Sequence, residues 1–250
     1  MPLTEWLEIL GAPLLATVLV VLIHGPMGRE VLRRGIIFID LAIAQVAGLG
    51  VVFVDLVVHE PNWIFVQFTA LLGALLTALF FRWVETHLPA EQEAVIGCTF
   101  ILAASAVLLI LADHPHGGEK IKHILSGQIL FVTLSDLIFV APIFFGATFL
   151  WLLFRRLREG IYFFLLFSVV VTASVQLVGV YVVFASLILP ALAVQKFTMD
   201  KDHASIIVGG ISAIFGITAS VFFDLPTGPS LVFSFGICTL CIRFFHGRFG

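Results

Sequence analysis

The sequence predicts an all-α fold: one polytopic integral membrane domain over residues 1–250, built as a helical bundle of about nine transmembrane segments. Hydrophobic residues make up 60% of the chain and charged residues only 12%, whereas a soluble domain holds roughly 45–50% apolar and about 25% charged residues. The apolar residues are also grouped into runs close to the roughly 20 residues that a helix needs to cross a bilayer. Both observations indicate a chain that folds in lipid.

Nine apolar runs account for the predicted helices, and the first and seventh are short for a span. The sixth and seventh are separated only by Val178–Val180 (VGV), which predicts a tight helical hairpin or a broken helix. Both faces of these two runs are apolar, so they lack the alternation that a transmembrane strand requires. In chain order the runs are Leu10–Leu22, Ile36–Val58, Trp63–Phe81, Ala94–Leu111, Leu134–Phe154, Ile161–Leu177, Tyr181–Val194, Ser205–Phe223 and Ser230–Phe245.

The lysines and arginines collect after every second run, beginning with the first. Because basic residues are enriched in cytoplasmic loops, this pattern predicts an N-terminus outside the cell and a C-terminus in the cytoplasm. Of the 13 lysines and arginines, only Lys120 and Lys122 would then lie outside. Fusing the sixth and seventh runs into one helix would reverse the last two spans and lose this agreement, so nine segments are favoured.

Polar residues inside the apolar runs are candidates for lining a substrate pathway. A carboxylate in the middle of a bilayer costs about 2.5–3.5 kcal/mol on insertion scales, so it normally faces a protein interior or water. Asp40 lies close to the predicted cytoplasmic interface of the membrane, however, and an ion pair with Arg33 or Arg34 is an equally good interpretation. Gln45 is deeper, where a hydrogen bond between helices is the commonest use of an amide. Asp40 and Gln45 are about 140° apart around a helix and do not share one face.

The most polar predicted external connection is Ala112–His123 (ADHPHGGEKIKH). It contains His114, His116 and His123, and His59 lies in the preceding external turn. Neutral imidazole is a common ligand for zinc and related metals. These histidines are therefore candidates for a weak metal-binding site at the external mouth of a pathway. A solvated loop around a Pro/Gly turn is the simpler interpretation.

The chain lacks the sequence motifs of several large enzyme classes. It contains no G-x-S-x-G, no H-E-x-x-H and no Walker A lysine motif. We therefore expect no enzymatic activity and no intrinsic cofactor, and if the chain takes part in pumping, another chain must supply the energy. No polybasic segment is present, so nucleic acid is not an expected partner.

Three stretches occur in a fixed order along the chain: Val31–Gly50 (VLRRGIIFIDLAIAQVAGLG), Leu177–Val194 (LVGVYVVFASLILPALAV) and Phe223–Phe233 (FDLPTGPSLVF). Together they resemble the permease subunits of metal-ion ABC transporters, the group that imports zinc, manganese and iron(II). Leu125–Leu137 and Glu91–Gly97 add weaker matches. The resemblance covers most of the chain in the right order and spacing.

The resemblance implies a permease subunit of an importer for divalent metal cations, which works by alternating access with the metal as its substrate. It also implies a cobalamin-permease-like bundle that tolerates short and broken helices. Two copies would form the pore in the inner (cytoplasmic) membrane, with two cytoplasmic ATPase subunits below and an external metal-binding protein above. On this interpretation Asp40, Gln45 and Gln176 line the substrate pathway, and the four histidines named above lie at its external mouth.

The sequence departs from the family pattern at the metal site. When the second-helix signature is aligned on its glycine-rich end, the family's His falls on Gln45 and its Asp falls on Leu41, one position after Asp40. An amide binds transition metals more weakly than imidazole. An alternative function is therefore a non-transporting membrane scaffold or assembly factor that kept the permease fold.

A second departure lies between the fifth and sixth runs, where the family carries the segment that docks the ATPase. Here Arg155–Gly160 is too short for a docking helix at about 1.5 Å per residue. Glu85, Glu91 and Glu93, in the connection between the third and fourth runs, are the alternative candidates for contact with the ATPase.

Overall fold

The computed structural model describes residues 3–58, 61–112, 117–127 and 129–249 of the chain. Over these ranges the chain forms ten α-helices, three 3₁₀ turns and no strand, which confirms the all-α prediction. The helices are α1 (Leu3–Arg34), α2 (Ile39–Val57), α3 (Trp63–His87), α4 (Gln92–Leu111), α5 (Gly117–Ser126), α6 (Leu134–Leu153), α7 (Gly160–Val178), α8 (Val180–Ala193), α9 (Lys201–Phe222) and α10 (Thr227–Phe249). The 3₁₀ turns are Pro89–Glu91, Ile129–Phe131 and Arg155–Arg158.

Eight of these helices are long and apolar enough to cross a membrane, and α8 is a shorter apolar helix of 14 residues. The prediction of about nine segments with a short seventh one is therefore confirmed. The predicted break between the sixth and seventh runs falls at Gly179, whose φ of 80° lies in the region that side chains with a Cβ disfavour. The ten-residue helix α5 was not predicted, because its sequence is too polar and too short for a span.

The first predicted run, Leu10–Leu22, is too short. Helix α1 continues to Arg34, so the three arginines expected after this run lie in its final turns. Helix α1 continues through Pro26, because neighbouring helices can support a transmembrane helix through a proline. Gly28 lies so close to α8 that an added Cβ would be 1.8 Å from the carbonyl oxygen of Leu187. The glycine therefore permits close helix packing and does not end the helix.

Helices α1, α2, α7 and α8 contribute most of the buried centre of the bundle. Helix α1 packs against α6, α8 and α9, while α2 packs between α3 and α4. Helices α4, α6 and α10 expose many large apolar side chains, among them Leu109 at 78% exposure. Soluble proteins rarely expose apolar surface on this scale, so these faces are the lipid-facing surface of a multi-pass membrane protein.

Charged residues meet at one end of the bundle, which we call the basic end. Its centre is Arg34, whose guanidinium donates to Glu30 at 2.7 Å and to Glu85 of α3 at 2.8 Å. The same guanidinium donates to the carbonyl oxygen of Arg158, in the turn before α7, at 2.6 Å. Asp202, in the first turn of α9, is paired with the Arg158 side chain at 3.7 Å. These contacts hold the ends of α1, α3, α7 and α9 on one side of the bundle.

Candidate functional site

Asp40 lies in the first turn of α2 and is 0% exposed. Neither of its carboxylate oxygens has a hydrogen-bond partner among the residues that the structure describes. The backbone N–H groups of Asp40 and Leu41 lie close to the carboxylate but outside hydrogen-bond geometry. The alternative pairing with Arg33 or Arg34 does not form, because both guanidinium groups bind Glu30 instead. Asp40 is therefore a buried acid that pairs with neither of these arginines.

Two further polar side chains come from the first turn of α4, which packs against α2. Glu93 accepts a hydrogen bond from the backbone N–H of Phe38 at 3.4 Å through Oε1. Its other oxygen, Oε2, and the Nε2 atom of Gln92 are buried without a partner in the described ranges. Asp40, Gln92 and Glu93 therefore lie at the starts of two helices that pack together.

Gln45 and Gln176, the other predicted pathway residues, line two different cavities. Gln45 faces a cavity of about 290 Å³ between α2, α4, α5 and α8. Gln176 faces a cavity of about 570 Å³ between α2, α3, α6 and α7. Asp40 lines neither of them. The structure therefore does not bring the three residues to one surface, and their assignment to a pathway stays a prediction.

The larger cavity contains polar groups that the sequence did not single out. Gln67 of α3 and Thr172 of α7 line it together with Gln176, and Asp136 lies at its α6 side. The Thr172 hydroxyl is buried without a partner within the described part of the chain. Gln67 carries the same signal as Gln45, an amide inside an apolar run, whereas a single threonine in such a run gives none.

His24 is the main buried polar residue that the sequence analysis missed. It lies in the middle of α1 with 0% exposure, and its ring bridges α7 and α8. Nε2 is 2.9 Å from the hydroxyl of Ser174, and Nδ1 is 2.8 Å from the hydroxyl of Ser186. We call these three residues the His24 triad. The available signal was a histidine that directly follows Leu22 and Ile23 at the end of the first apolar run.

A neutral ring with two serine hydroxyls has three protons, which make three of the four contacts of the His24 triad. Each serine is also placed to donate to a carbonyl of its own helix, Ser174 to Val170 at 2.7 Å and Ser186 to Val183 at 3.0 Å. A neutral imidazole donates through one nitrogen and accepts through the other. One serine therefore donates to the ring, and the other accepts from the ring and donates to its carbonyl. Both ring nitrogens are satisfied.

The predicted external histidines fall largely outside the described residues. This is the case for His59, His114 and His116, while His123 lies in α5 with its side chain outside the description. Over the ranges that the structure does describe, no group of three or more His, Cys, Asp or Glu side chains is arranged to hold a metal ion.

The three glutamates predicted to contact an ATPase occupy different environments at the basic end. Glu85 is bound by Arg34 and Arg82. Glu93 turns its Oε2 atom into the bundle. Glu91 is exposed in the 3₁₀ turn between α3 and α4. Of the three, Glu91 is the one whose side chain lies on the surface.

The bundle and its broken α7–α8 hairpin define a multi-pass membrane protein. The sequence model of the ABC 3 transport family matches residues 7–159 and 157–246, and the chain belongs to that family. The resemblance to metal-ion ABC transporter permeases is thereby confirmed. The two matched stretches meet at 157–159, inside the short connection between α6 and α7.

Named relatives cover most of this chain. It is 27% identical over 241 residues to the manganese transport system membrane protein MntC of Halalkalibacterium halodurans, covering 88% of this chain and 81% of that protein. It is 27% identical over 204 residues to a probable iron transport system membrane protein of Haemophilus influenzae, covering 72% of each. It is 23% identical over 247 residues to the high-affinity zinc uptake system membrane protein ZnuB of Haemophilus influenzae, covering 90% and 93%.

A solved structure has the same fold. PsaBC from Streptococcus pneumoniae in complex with Fab matches with a TM-score of 0.74 at 19% identity, over 96% of this chain and 93% of that one. At this level of identity the match shows the fold, and it confirms the helical permease bundle predicted from the sequence.

Proposed function

We propose that this chain is the membrane-spanning subunit of an importer for a divalent transition-metal cation, which crosses the membrane by alternating access. The observation that supports this most strongly is membership of the ABC 3 transport family over nearly the whole chain. The names of the relatives add manganese, iron and zinc as candidate substrates. The metal is cargo in this proposal, and the chain itself has no enzymatic activity and no resident cofactor.

The proposed partners follow from the class. Separate ATPase subunits power transport, a second copy of this chain completes the pore, and an external protein delivers the metal. We place the basic end in the cytoplasm, with the N-terminus outside, because basic residues are enriched in cytoplasmic loops. The ATPase would then meet the basic end, where Glu91, Arg155 and Arg156 are exposed.

The docking surface for the ATPase is proposed to differ from that of typical family members. The 3₁₀ turn Arg155–Arg158 spans four residues, and the family match is divided into two overlapping stretches at the same place. Arg158 is held back against the bundle by Asp202 and Trp151. The turn is therefore a short, anchored basic surface and has no projecting helix to insert into a groove of the ATPase.

Transport by the purified complex tests this function. The chain is co-purified in mild detergent with the ATPase encoded beside it, reconstituted into liposomes and supplied with radiolabelled manganese, iron or zinc. ATP-dependent accumulation of at least one metal is expected, and a Walker A lysine variant of the ATPase is the control. If no ATPase co-purifies and no metal stimulates ATP hydrolysis, the chain is instead a scaffold with a permease fold.

A further inference from the structure

The 3₁₀ turn Arg155–Arg158 lies where the lipid-facing surface of α6 ends. The apolar side chains that precede it, Leu152, Leu153 and Phe154, are all more than half exposed. Just after the turn, Tyr162 in the first turn of α7 is also more than half exposed. Tyrosine and tryptophan are enriched where a membrane meets water. The turn therefore lies at the level of the lipid headgroups, at the basic end of the bundle.

Two exposed arginines of this turn carry positive charge that nearby acids do not neutralise. The guanidinium groups of Arg155 and Arg156 form no ion pair or hydrogen bond within the described part of the chain. Asp202 of α9 is already paired with Arg158, which leaves the exposed Glu159 as the one acid in the connection between α6 and α7. The exposed side of the turn is therefore positively charged, adjoins lipid, and is complementary to an anionic headgroup.

Contacts with the bundle fix the position of this turn. Arg34 of α1 donates to the carbonyl oxygen of Arg158 at 2.6 Å. The Arg158 side chain donates to the carbonyl oxygen of Trp151 at 3.3 Å, and its guanidinium carbon lies 5.2 Å from the centroid of the Trp151 ring. A binding site that is already ordered loses less entropy when its ligand binds. The backbone that carries the two exposed arginines is therefore in place before a ligand binds.

We propose that Arg155 and Arg156 bind the phosphate of an anionic phospholipid in the membrane leaflet at the basic end. Guanidinium groups bind phosphate through paired hydrogen bonds, and the acyl chains of the lipid pack on Leu152, Leu153 and Phe154. A lipid fits this surface better than the ATPase does, because a lipid contacts the arginines and the adjoining apolar side chains at once. The ATPase then has the remaining surface of the basic end.

Lipid binding to the purified permease–ATPase complex tests the proposal. Phosphatidylglycerol is titrated into the complex in a neutral detergent, and the bound lipids are counted by native mass spectrometry. The double variant Arg155→Gln/Arg156→Gln should bind this lipid about 30-fold more weakly, since each basic residue near an anionic membrane surface contributes about fivefold. Arg155→Lys/Arg156→Lys keeps the charge and should retain most of the affinity. The matched control is Lys196→Gln, an exposed cation at the same end but outside the turn, which should leave the affinity unchanged.

Three outcomes would overturn the proposal. Equal binding of phosphatidylglycerol by the wild type and the double glutamine variant would show that the lipid does not use these arginines. Equally strong binding of glycerol phosphate, which has the phosphate without acyl chains, would assign the site to a soluble anion. Loss of the ATPase from the double variant, with lipid binding unchanged, would assign the arginines to the ATPase. Lipid binding is measured without metal, so a failure of metal uptake would contradict the proposed function and leave this inference standing.

Discussion

Two buried titratable side chains, His24 and Asp40, differ in whether their polar atoms have hydrogen-bond partners. Both are fully buried in helices that cross the membrane. Both ring nitrogens of His24 are bonded to serine hydroxyls, whereas both oxygens of Asp40 lack a partner in the described structure. Burial alone therefore does not tell the two residues apart. The count of hydrogen bonds does, because His24 is a satisfied bridge between helices whereas the carboxylate of Asp40 has no partner among the described residues.

The largest effect expected from this comparison is on stability at His24. His24→Ala removes a bridge between α1, α7 and α8 and leaves a cavity, so the free energy of unfolding should fall by about 2–4 kcal/mol. Thermal or denaturant unfolding in detergent measures this, with His87→Ala as the control. His87 is exposed at the end of α3, where a substitution changes stability by about 0.5 kcal/mol or less. Equal effects in the two variants would show that the His24 triad is not a structural bridge.

The next effect is expected at Asp40. Asp40→Asn should unfold no more readily than the wild type, because the substitution removes a buried acid whose oxygens have no partner among the described residues. Thermal unfolding of the two proteins in detergent measures this.

The converse result at Asp40 would contradict this interpretation. If Asp40→Asn unfolds more readily than the wild type, then Asp40 is a structural residue like His24.

A smaller effect is expected at the serines of the triad. Hydrogen bonds between transmembrane helices contribute about 0.6 kcal/mol on average, so Ser186→Ala should cost about that much. In a double-mutant cycle, Ser186→Ala should cost less in the His24→Ala background than in the wild type, because its partner is already absent. Additive losses would mean that the 2.8 Å contact between His24 and Ser186 contributes nothing to stability.

The fold and some of the buried polar residues could be predicted from the sequence. Hydropathy and the order of the basic residues predicted the helical bundle, its short seventh segment and the break at Gly179, because these depend on local properties of the chain. The bounds of α1 could not be predicted, since the role of Gly28 depends on a carbonyl of α8 that is distant in sequence. Proline and glycine are helix-ending signals only where no neighbouring helix compensates for them.

The residues of the candidate site were harder to predict, because their roles depend on contacts with residues that are distant in sequence. Asp40 was found from the sequence, but Glu93 was assigned to a contact with a cytoplasmic ATPase. Its place at the start of α2 depends on the packing of α2 against α4. His24 was missed altogether, since nothing in α1 indicates that two serines, 150 and 162 residues away, lie on either side of its ring.

The smallest expected effect compares two buried threonines of nearly equal exposure. Thr239 donates to the carbonyl oxygen of Leu189 at 2.9 Å, whereas the Thr172 hydroxyl is without a partner among the described residues and faces the larger cavity. Valine has almost the same shape as threonine, so the substitution removes the hydroxyl with little change in packing. Thr239→Val should cost about 0.6 kcal/mol, while Thr172→Val should cost nothing or stabilise the protein. If Thr172→Val is the more costly of the two, its hydroxyl binds an ordered water, and the larger cavity is hydrated in the membrane.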